Sequence, residues 1–597
     1  MLFGKHINKY YKKYFWYFIA GLIALVLVDY FQLIVPEALG QIVDLFDGDD
    51  IGTHINEVYK LIIKILIVAV VMFLGRAGWR LAIFSASKSI ESDLRDEMFQ
   101  KATVLSTRYY HSTNVGNILS IFSTDTETIQ DYFGWGTIMV VDAVFLSLIT
   151  FIKMFKLNVL LTLITLVPLI LIVLWGMMVE KWESLMWGKR QKETDKLFEF
   201  AQESFAGIRV IKAFVKETHR IFAFSKIAKK NYEANVNFMR ISVAFDSMIS
   251  IIIALICCLI LGFGSWLVYS VSNGSPIMIL GYEFKLTAGE LITFAGFFDI
   301  LVWPMIALGQ IFAMRSKAKE SLRRISVFLD EDVEIKDNEN AIDIEDVKGE
   351  IRFNNFSFKY PDSDSYVLKN ISLTIKPGEL VGVVGKIGSG KSTFLTSLLR
   401  FYNFEKNQIF IDNHDIMDLS IKSVRNCIGF VPQDNFLFSD SIKNNVAFGK
   451  KDAKIEEIID SCKFSSVDDN ISTFKNGYET ISGERGVTLS GGQKQRISIA
   501  RAFIKNAPIM MMDDSVSAVD FKTEEEIISN IKEFRKGKTT LVIASRVSTV
   551  KTFDKIIVLN DGELEAFDTP QNLEKISPTY QKMVYLQKLE DEVSGRS

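Results

Sequence analysis

Proline and cysteine are both scarce, with 10 and 4 residues in a chain of 597. So little proline, set against 46 phenylalanines, excludes a disordered or low-complexity chain. Four cysteines cannot staple a protein of this length, and Cys257 and Cys258 stand side by side in an apolar run, so nothing demands an oxidising compartment. An excess of charge of one sign is also absent. The 68 Lys and Arg against 71 Asp and Glu leave a formal net charge of -3, which argues against nucleic acid as a partner. A secretory signal is not expected, because the first apolar stretch is too long for one and more of the same follow it.

What the chain does have is 49% hydrophobic content, and that content is unevenly distributed. Six stretches, 14–36, 58–84, 137–155, 158–179, 247–269 and 288–314, meet or approach the roughly 20 apolar residues that span a bilayer as a helix. The N-terminal segment carries Lys5, Lys9, Lys12 and Lys13, whereas residues 37–57 contain six acids and neither Lys nor Arg. That bias puts the N-terminus in the cytoplasm. With six spans, 85–136 and 180–246 are cytoplasmic too, and long enough to continue the helices beyond the membrane. Leu2 to Tyr11 reads either as an amphipathic helix on the inner membrane surface or as a frayed polar terminus.

From Gly349 onward the pattern is that of a water-soluble α/β domain. Apolar residues up to Val384 read as a strand, and the loop after it is Gly385, Lys386, Ile387, Gly388, Ser389, Gly390, Lys391, Ser392. This matches G-x-x-x-x-G-K-[ST] in full, between strand and helix, the context that turns glycine-rich backbone N–H groups towards phosphates. Lys391 then reaches the β- and γ-phosphates and the Ser392 hydroxyl takes a place on Mg²⁺. A hard-oxygen carboxylate should end a second apolar strand beside it, and Asp513 follows the run Ile509 to Met512.

Between the two stands Leu489, Ser490, Gly491, Gly492, Gln493, which resembles the signature sequence of ATP-binding cassette proteins. The resemblance covers nearly the whole chain and looks like a half-transporter of the bacterial heterodimeric ABC multidrug exporter family. It implies a membrane all-α domain of six transmembrane helices with long cytoplasmic extensions, followed by an α/β P-loop ATP-binding cassette. The expected boundaries are 1–319 for the membrane domain, 320–349 for a linker, 350–588 for the cassette and 589–597 for a tail. By resemblance Tyr360 stacks on adenine, the stretch from Gly385 to Thr393 holds the phosphates, and Ser392, Gln433 and Asp513 serve Mg²⁺. Ser517 to Asp520 resembles the loop between paired cassettes, and Gly483 to Gly486 a feature of exporters. Segments Thr113 to Leu119 and Gly207 to Phe214 resemble the short helices that dock on cassettes.

Two positions depart from the family pattern. Asp514 stands where the family places the Glu that holds the attacking water, and Ser545 where it places a histidine. Asp is one methylene shorter, and a misplacement of about 1 Å can cost on the order of 10²-fold in rate. Both losses fall in one catalytic shell, whereas Ser490 to Gln493 are intact. The expectation is therefore a heterodimer in which a second half-transporter supplies the faster site. For cargo, intramembrane charges are candidates by default: Asp299, flanked by Phe294, Phe297, Phe298 and Trp303, with Asp142 and Arg76. The expected activity is ATP-driven export of hydrophobic or amphipathic compounds at the plasma membrane, the alternatives being a lipid or lipopeptide flippase or an ATP-gated channel.

Overall fold

The computed structural model describes residues 4–46, 51–273, 277–279, 282–483, 486–517 and 519–593. Glu484, Arg485 and Ala518, which fall in two of the motif stretches above, lie outside these, as do Leu2, Phe3 and the last four residues of the expected tail. The described chain forms two compact units, one of residues 1–103 and 113–331, the other of residues 104–112 and 332–597.

The first unit is helical because a bilayer core offers backbone N–H and C=O groups no partner but one another. Its helices are α1 (Asn8–Lys13), α2 (Phe15–Gln32), α3 (Ile34–Phe46), α4 (Ile51–Val104), a helix α6 (Val115–Leu157), α7 (Val159–Ala206), α8 (Ile208–Ala213), α9 (Glu217–Ser272) and α10 (Ala288–Asp330), with Ile277–Ile279 and Tyr282–Phe284 paired as short antiparallel strands before α10; α5 (Thr107–Ser112) belongs to the second unit. Six helical stretches among the described residues are long and apolar enough to cross a membrane, in the six places expected. Helix α4 has 54 residues, about 80 Å at the helical rise, so it overshoots a hydrocarbon core of about 30 Å by a wide margin. Helices α7 and α9 do the same.

Capping fixes where these helices begin. Asn158 opens α7 by accepting from Leu161 N at 2.9 Å. Thr287 and Glu290 form a reciprocal capping box at the start of α10, and Asp44 of α3 accepts from Gly289 N at 2.7 Å. Helix α6 is interrupted by three π-helical segments, Ile121–Asp125, Tyr132–Gly136 and Asp142–Leu146. Asp125 and Asp142 stand at two of them, and both bind α10, through Ser321 (2.7 Å) and Trp303 Nε1 (3.0 Å) respectively. Residues 4–13 are neither frayed nor unattached. Ile7 and Tyr10 are buried, Lys9 pairs with Glu97 (2.6 Å) and Lys13 with Asp93 (2.5 Å) on α4, and Lys5 pairs with Asp330 (2.9 Å) on α10. Helix α10 runs unbroken past 319 to Asp330, where Leu322, Ile325, Phe328 and Leu329 keep an apolar face buried, so the linker starts eleven residues later than the charge pattern implied.

The second unit holds a ten-stranded mixed sheet. Its strands are β1 (Ile351–Phe358), β2 (Leu368–Ile375), β3 (Leu380–Gly385), β4 (Ile409–Ile411), β5 (His414–Asp415), β6 (Ile428–Val431), β7 (Ile509–Asp513), β8 (Thr539–Ile543), β9 (Lys555–Asn560) and β10 (Glu563–Asp568), in the order β5-β4-β1-β2-β10-β9-β3-β8-β7-β6. The central strands β3, β8, β7 and β6 are parallel, and β7 and β8 are buried at every position. Alternate residues feed two cores. Val383, Met511 and Leu541 pack on one face, while Val384, Met512 and Val542 pack on the other.

Candidate nucleotide site and membrane cavity

Parallel strands end together, so their carboxyl ends bring sequence-distant loops to one edge. Register pairs Ile543 with Asp513, Ile543 with Val383, and Val431 with Met512. The glycine loop after β3, Asp513 and Asp514 at the end of β7, Ser545 after β8 and Gln433 after β6 therefore share that edge. Gln433 and Ser545 are both exposed there.

The glycine loop needs its glycines. Gly388 and Gly390 have φ of +82° and +90°, and a side chain at Gly390 would run into Leu368. Lys386, Ile387 and Gly388 form an exposed apex, whereas Ser389 is buried with a hydroxyl that has no hydrogen-bond partner. Lys391 opens helix α11 (Lys391–Ser397), and its Nζ donates to the carbonyls of Gly385 (2.9 Å) and Lys386 (2.8 Å), folding its ammonium back into the loop. Burial holds that ammonium below the ordinary lysine range, with Asp514 and Asp513 pulling the other way. Ser392 Oγ donates to Asp513 Oδ1 at 3.0 Å. Burial pushes the Asp513 carboxyl up, and the Ser392 hydroxyl opposes the shift. Asp514 has φ of +45°, a left-handed conformation that Asp tolerates better than most residues, and its Oδ1 is buried without a partner. A phosphate chain fits this cradle: it offers acceptors to the orphaned Ser389 hydroxyl, the loop N–H groups and Lys391.

Tyr360 is half-buried, wedged edge-on between Phe358 and Tyr402, with ring centroids at 5.1 and 5.4 Å. Its hydroxyl lies 2.9 Å from Thr393 Oγ1, which fixes the ring beside the phosphate loop. Ser490 caps α12 (Gly491–Ile504) by accepting from Gln493 N (3.3 Å), and Gln493 Oε1 accepts from Ser490 N (2.9 Å). With Gly491 exposed and Gly492 half-buried, that helix start is open to a ligand.

The two segments compared above to docking helices differ in fate. The turn that belongs to the cassette unit is residues 104–112, one short helix earlier than Thr113 to Leu119. Arg108 of α5 pairs with Asp362 (2.7 Å) and Glu334 (2.7 Å), and Ser106 Oγ donates to Glu334 (2.9 Å). Residues 113–119 carry no charge with which to make such bonds. The second segment forms α8, which has no buried residue.

The charges expected to line a cargo cavity are scattered. Asp142 is buried, Asp299 and Arg76 are exposed, and Phe294, Phe297 and Phe298 pack into the helix core instead of standing beside Asp299. A cavity of about 190 Å³ lies elsewhere, between α7, α9 and α10, with Ile172, Val179, Phe245 and Ile249 as apolar lining and Glu183 and Asp246 as its carboxylates. Sequence reading missed these two because they fall at span ends, where acids pass for interfacial residues. It also missed Gln495, a polar residue on the buried face of α12.

With this geometry in hand, comparison with known proteins is decisive. Residues 18–305 match the model of the ABC transporter transmembrane region, and residues 368–517 match that of the ABC transporter domain. The chain belongs to the ABC transporter family. This ABC transporter is 31% identical to the multidrug resistance-like ATP-binding protein MdlA of Escherichia coli, over 98% of the chain and 96% of that protein. It is 30% identical, over 95% of both, to the probable multidrug resistance ABC transporter ATP-binding/permease protein YheI of Bacillus subtilis. A bacterial Atm1-family ABC exporter solved with ATP bound superposes with a TM-score of 0.80 at 26% identity, covering 96% of this chain and 99% of that one. The protein is an ATP-hydrolysing membrane transporter of the exporter fold.

Proposed function

We propose that this ABC transporter is one half of a heterodimeric exporter that drives hydrophobic or amphipathic compounds out across the cell membrane, its partner being a second, different half-transporter. One observation carries the reading: the chain pairs an intact signature, Ser490 to Gln493, with a site whose carboxylate is Asp514 and whose switch position is Ser545. The names of the relatives point to multidrug export, and the largely apolar cavity with Glu183 and Asp246 suits amphipathic cargo. Lysines at the N-terminus favour a cytoplasmic N-terminus and cassette.

Within its own site, Tyr360 stacks on the adenine and the loop from Gly385 to Thr393 cradles the phosphates. Ser392 Oγ and Asp513, already 3.0 Å apart, are hard-oxygen donors suited to Mg²⁺, with Gln433 beside them. Bound Mg²⁺ would neutralise charge on the β- and γ-phosphates. Asp514 orients water less well than a longer carboxylate would, so this site turns over slowly. Ser490, Gly491 and Gly492 complete the partner's site instead. Support for a second chain comes from α8, whose apolar neighbourhood is bare: Phe214 and Val215 are 70% and 81% exposed.

The test is the steady-state ATPase of the assembled two-chain complex. Ser490→Ala should cut it by about 10²-fold, because it removes a donor at the site of charge development, whereas Asp514→Asn should leave most of it. An equal loss from both changes would make Asp514 a working base and end the asymmetric reading.

A further inference from the structure

Asp514 is held from two sides. Its carbonyl oxygen accepts from Gln495 Nε2 at 3.2 Å and from Ser517 Oγ at 2.9 Å. Gln495 lies on the signature helix α12, five residues after Ser490, and is 2% exposed, so the donor end of this bond is shielded from water. One residue earlier, Asp513 is tied to Ser392 of the phosphate loop. The Asp513 to Asp514 turn is thus moored to the phosphate loop at one end and to the signature helix at the other.

Helix α12 is continuous from Gly491 to Ile504, with no proline. A ligand that pulls on its N-terminus therefore displaces Gln495, about 7.5 Å along the axis, as part of one rigid body. Asp514 is well placed to respond. Its left-handed φ of +45° is a shallow conformation for an L-residue, and its buried Oδ1 has no bond that fixes its direction. A shift of about 1 Å in such a carboxylate is enough to change a rate by an order of magnitude or more.

We propose that Gln495 is a positioning residue that carries engagement of ATP at the α12 N-terminus to Asp514, so that one helix couples the two nucleotide sites through a single chain. The proposal rests on the reading that Ser490, Gly491 and Gly492 complete a site on a second cassette. It goes beyond that reading by naming the bond through which occupancy of one site sets the geometry of the other.

The test uses full-length chain reconstituted as paired copies in lipid nanodiscs, so that the α12 N-terminus of each copy can meet the ATP of the other, with ATPase rates and amide hydrogen exchange of the 510–517 peptide read with and without ATP. Gln495→Leu keeps the bulk and removes the donor. It should lower kcat about tenfold while leaving KM for ATP and the unfolding temperature unchanged. In an Asp514→Asn background, and equally in a Ser490→Ala background, it should cost nothing further. ATP should slow exchange of the 510–517 peptide in the wild type, and neither Gln495→Leu nor Ser490→Ala should retain that slowing. Exchange reads the coupling even where turnover is slow, and Gln495→Met, which keeps the length of the side chain without a donor, repeats the cycle if the Leu variant does not fold. Additive losses, a rise in KM in place of a fall in kcat, or ATP-dependent slowing that survives Gln495→Leu would each overturn the proposal. Fast hydrolysis by the chain alone would instead count against the heterodimer reading and leave the cycle interpretable.

Discussion

Helices α5 and α8 are both six-residue turns at the far ends of long membrane helices, and they meet opposite fates. Around α5 the chain satisfies itself: Arg108 donates two bonds to Asp362 and one to Glu334, and Ser106 adds a fourth. Among the described residues the side chains of α8 itself make no such bonds, and the nearest ion pair, Arg220 with Glu203 (3.3 Å), joins the flanking helices α9 and α7. Val210, Phe214 and Val215 face outward, and Val215 holds φ of +51°, a strained value for a β-branched residue. One turn carries charges that match its own cassette, and the other carries apolar side chains that match nothing within its own unit. Two like devices in one chain, one self-satisfied and one bare, fit the proposed assembly of two chains.

The largest expected effect follows from that contrast. Phe214→Asp places a charge in a contact meant to be apolar, and a central aromatic of an interface is worth about 2 kcal/mol or more, roughly 30-fold in association. ATP-driven dye uptake into inverted vesicles should fall by about that factor, with the unfolding temperature of the isolated chain unchanged because Phe214 is exposed there. Arg108→Ala should cost less, since exposed ion pairs are weak. If the two variants transport equally well, α8 has no partner and the contrast means nothing.

Much of this was legible in the sequence, and the gaps have physical causes. The six spans could be read because a bilayer demands length and apolarity in one continuous run, and the phosphate loop because Gly388 and Gly390 need conformations that only glycine adopts freely. The docked turn was misplaced by one helix. Short helices leave little periodicity, and what anchors 104–112 is the pairing of Arg108 with Asp362, 254 positions away. Asp299 is parted from its phenylalanine neighbours for a related reason. Its phenylalanine neighbours were visible in the sequence, but helix rotation decides which side chains share a face, and three of them point into the core. The boundary near 319 was missed because charged residues on one face of α10 concealed the buried apolar face that carries the helix to Asp330.

A second expected effect asks what the proposed partner would supply. If Asp514 is slow only because its carboxylate falls short, Asp514→Glu should raise phosphate release by the chain alone by about tenfold, part of the roughly 10²-fold cost of a 1 Å misplacement. The gain will be incomplete for two reasons. Ser545 still lacks an imidazole, and Glu at φ of +45° carries a strain of about 1 kcal/mol. Phosphate release measured at saturating ATP decides the point. No gain would locate the deficit at Ser545 and away from the carboxylate.

The smallest effect concerns acid. The hydrogen bond from Arg108 holds the Asp362 carboxyl below the usual carboxylate range, and the Arg108 guanidinium stays charged throughout. Because the folded value lies below the unfolded one of about 3.9, the pair's contribution to docking is fully present above that value and is lost only as pH falls through the folded one. Docking of residues 104–112 on the cassette should therefore be flat from pH 9 to pH 6 and loosen in strong acid. Molar salt should imitate part of that loosening at neutral pH, because both partners are solvent-exposed and screened. Hydrogen exchange of the 104–112 peptide, corrected for the intrinsic pH dependence of amide exchange, reads this directly. Asp362→Asn should start looser and show a weaker acid response, with Glu334 still paired to Arg108. Loosening between pH 6 and 9 would assign the docking to some other titrating group, and the self-satisfied half of the contrast between α5 and α8 would no longer rest on this ion pair.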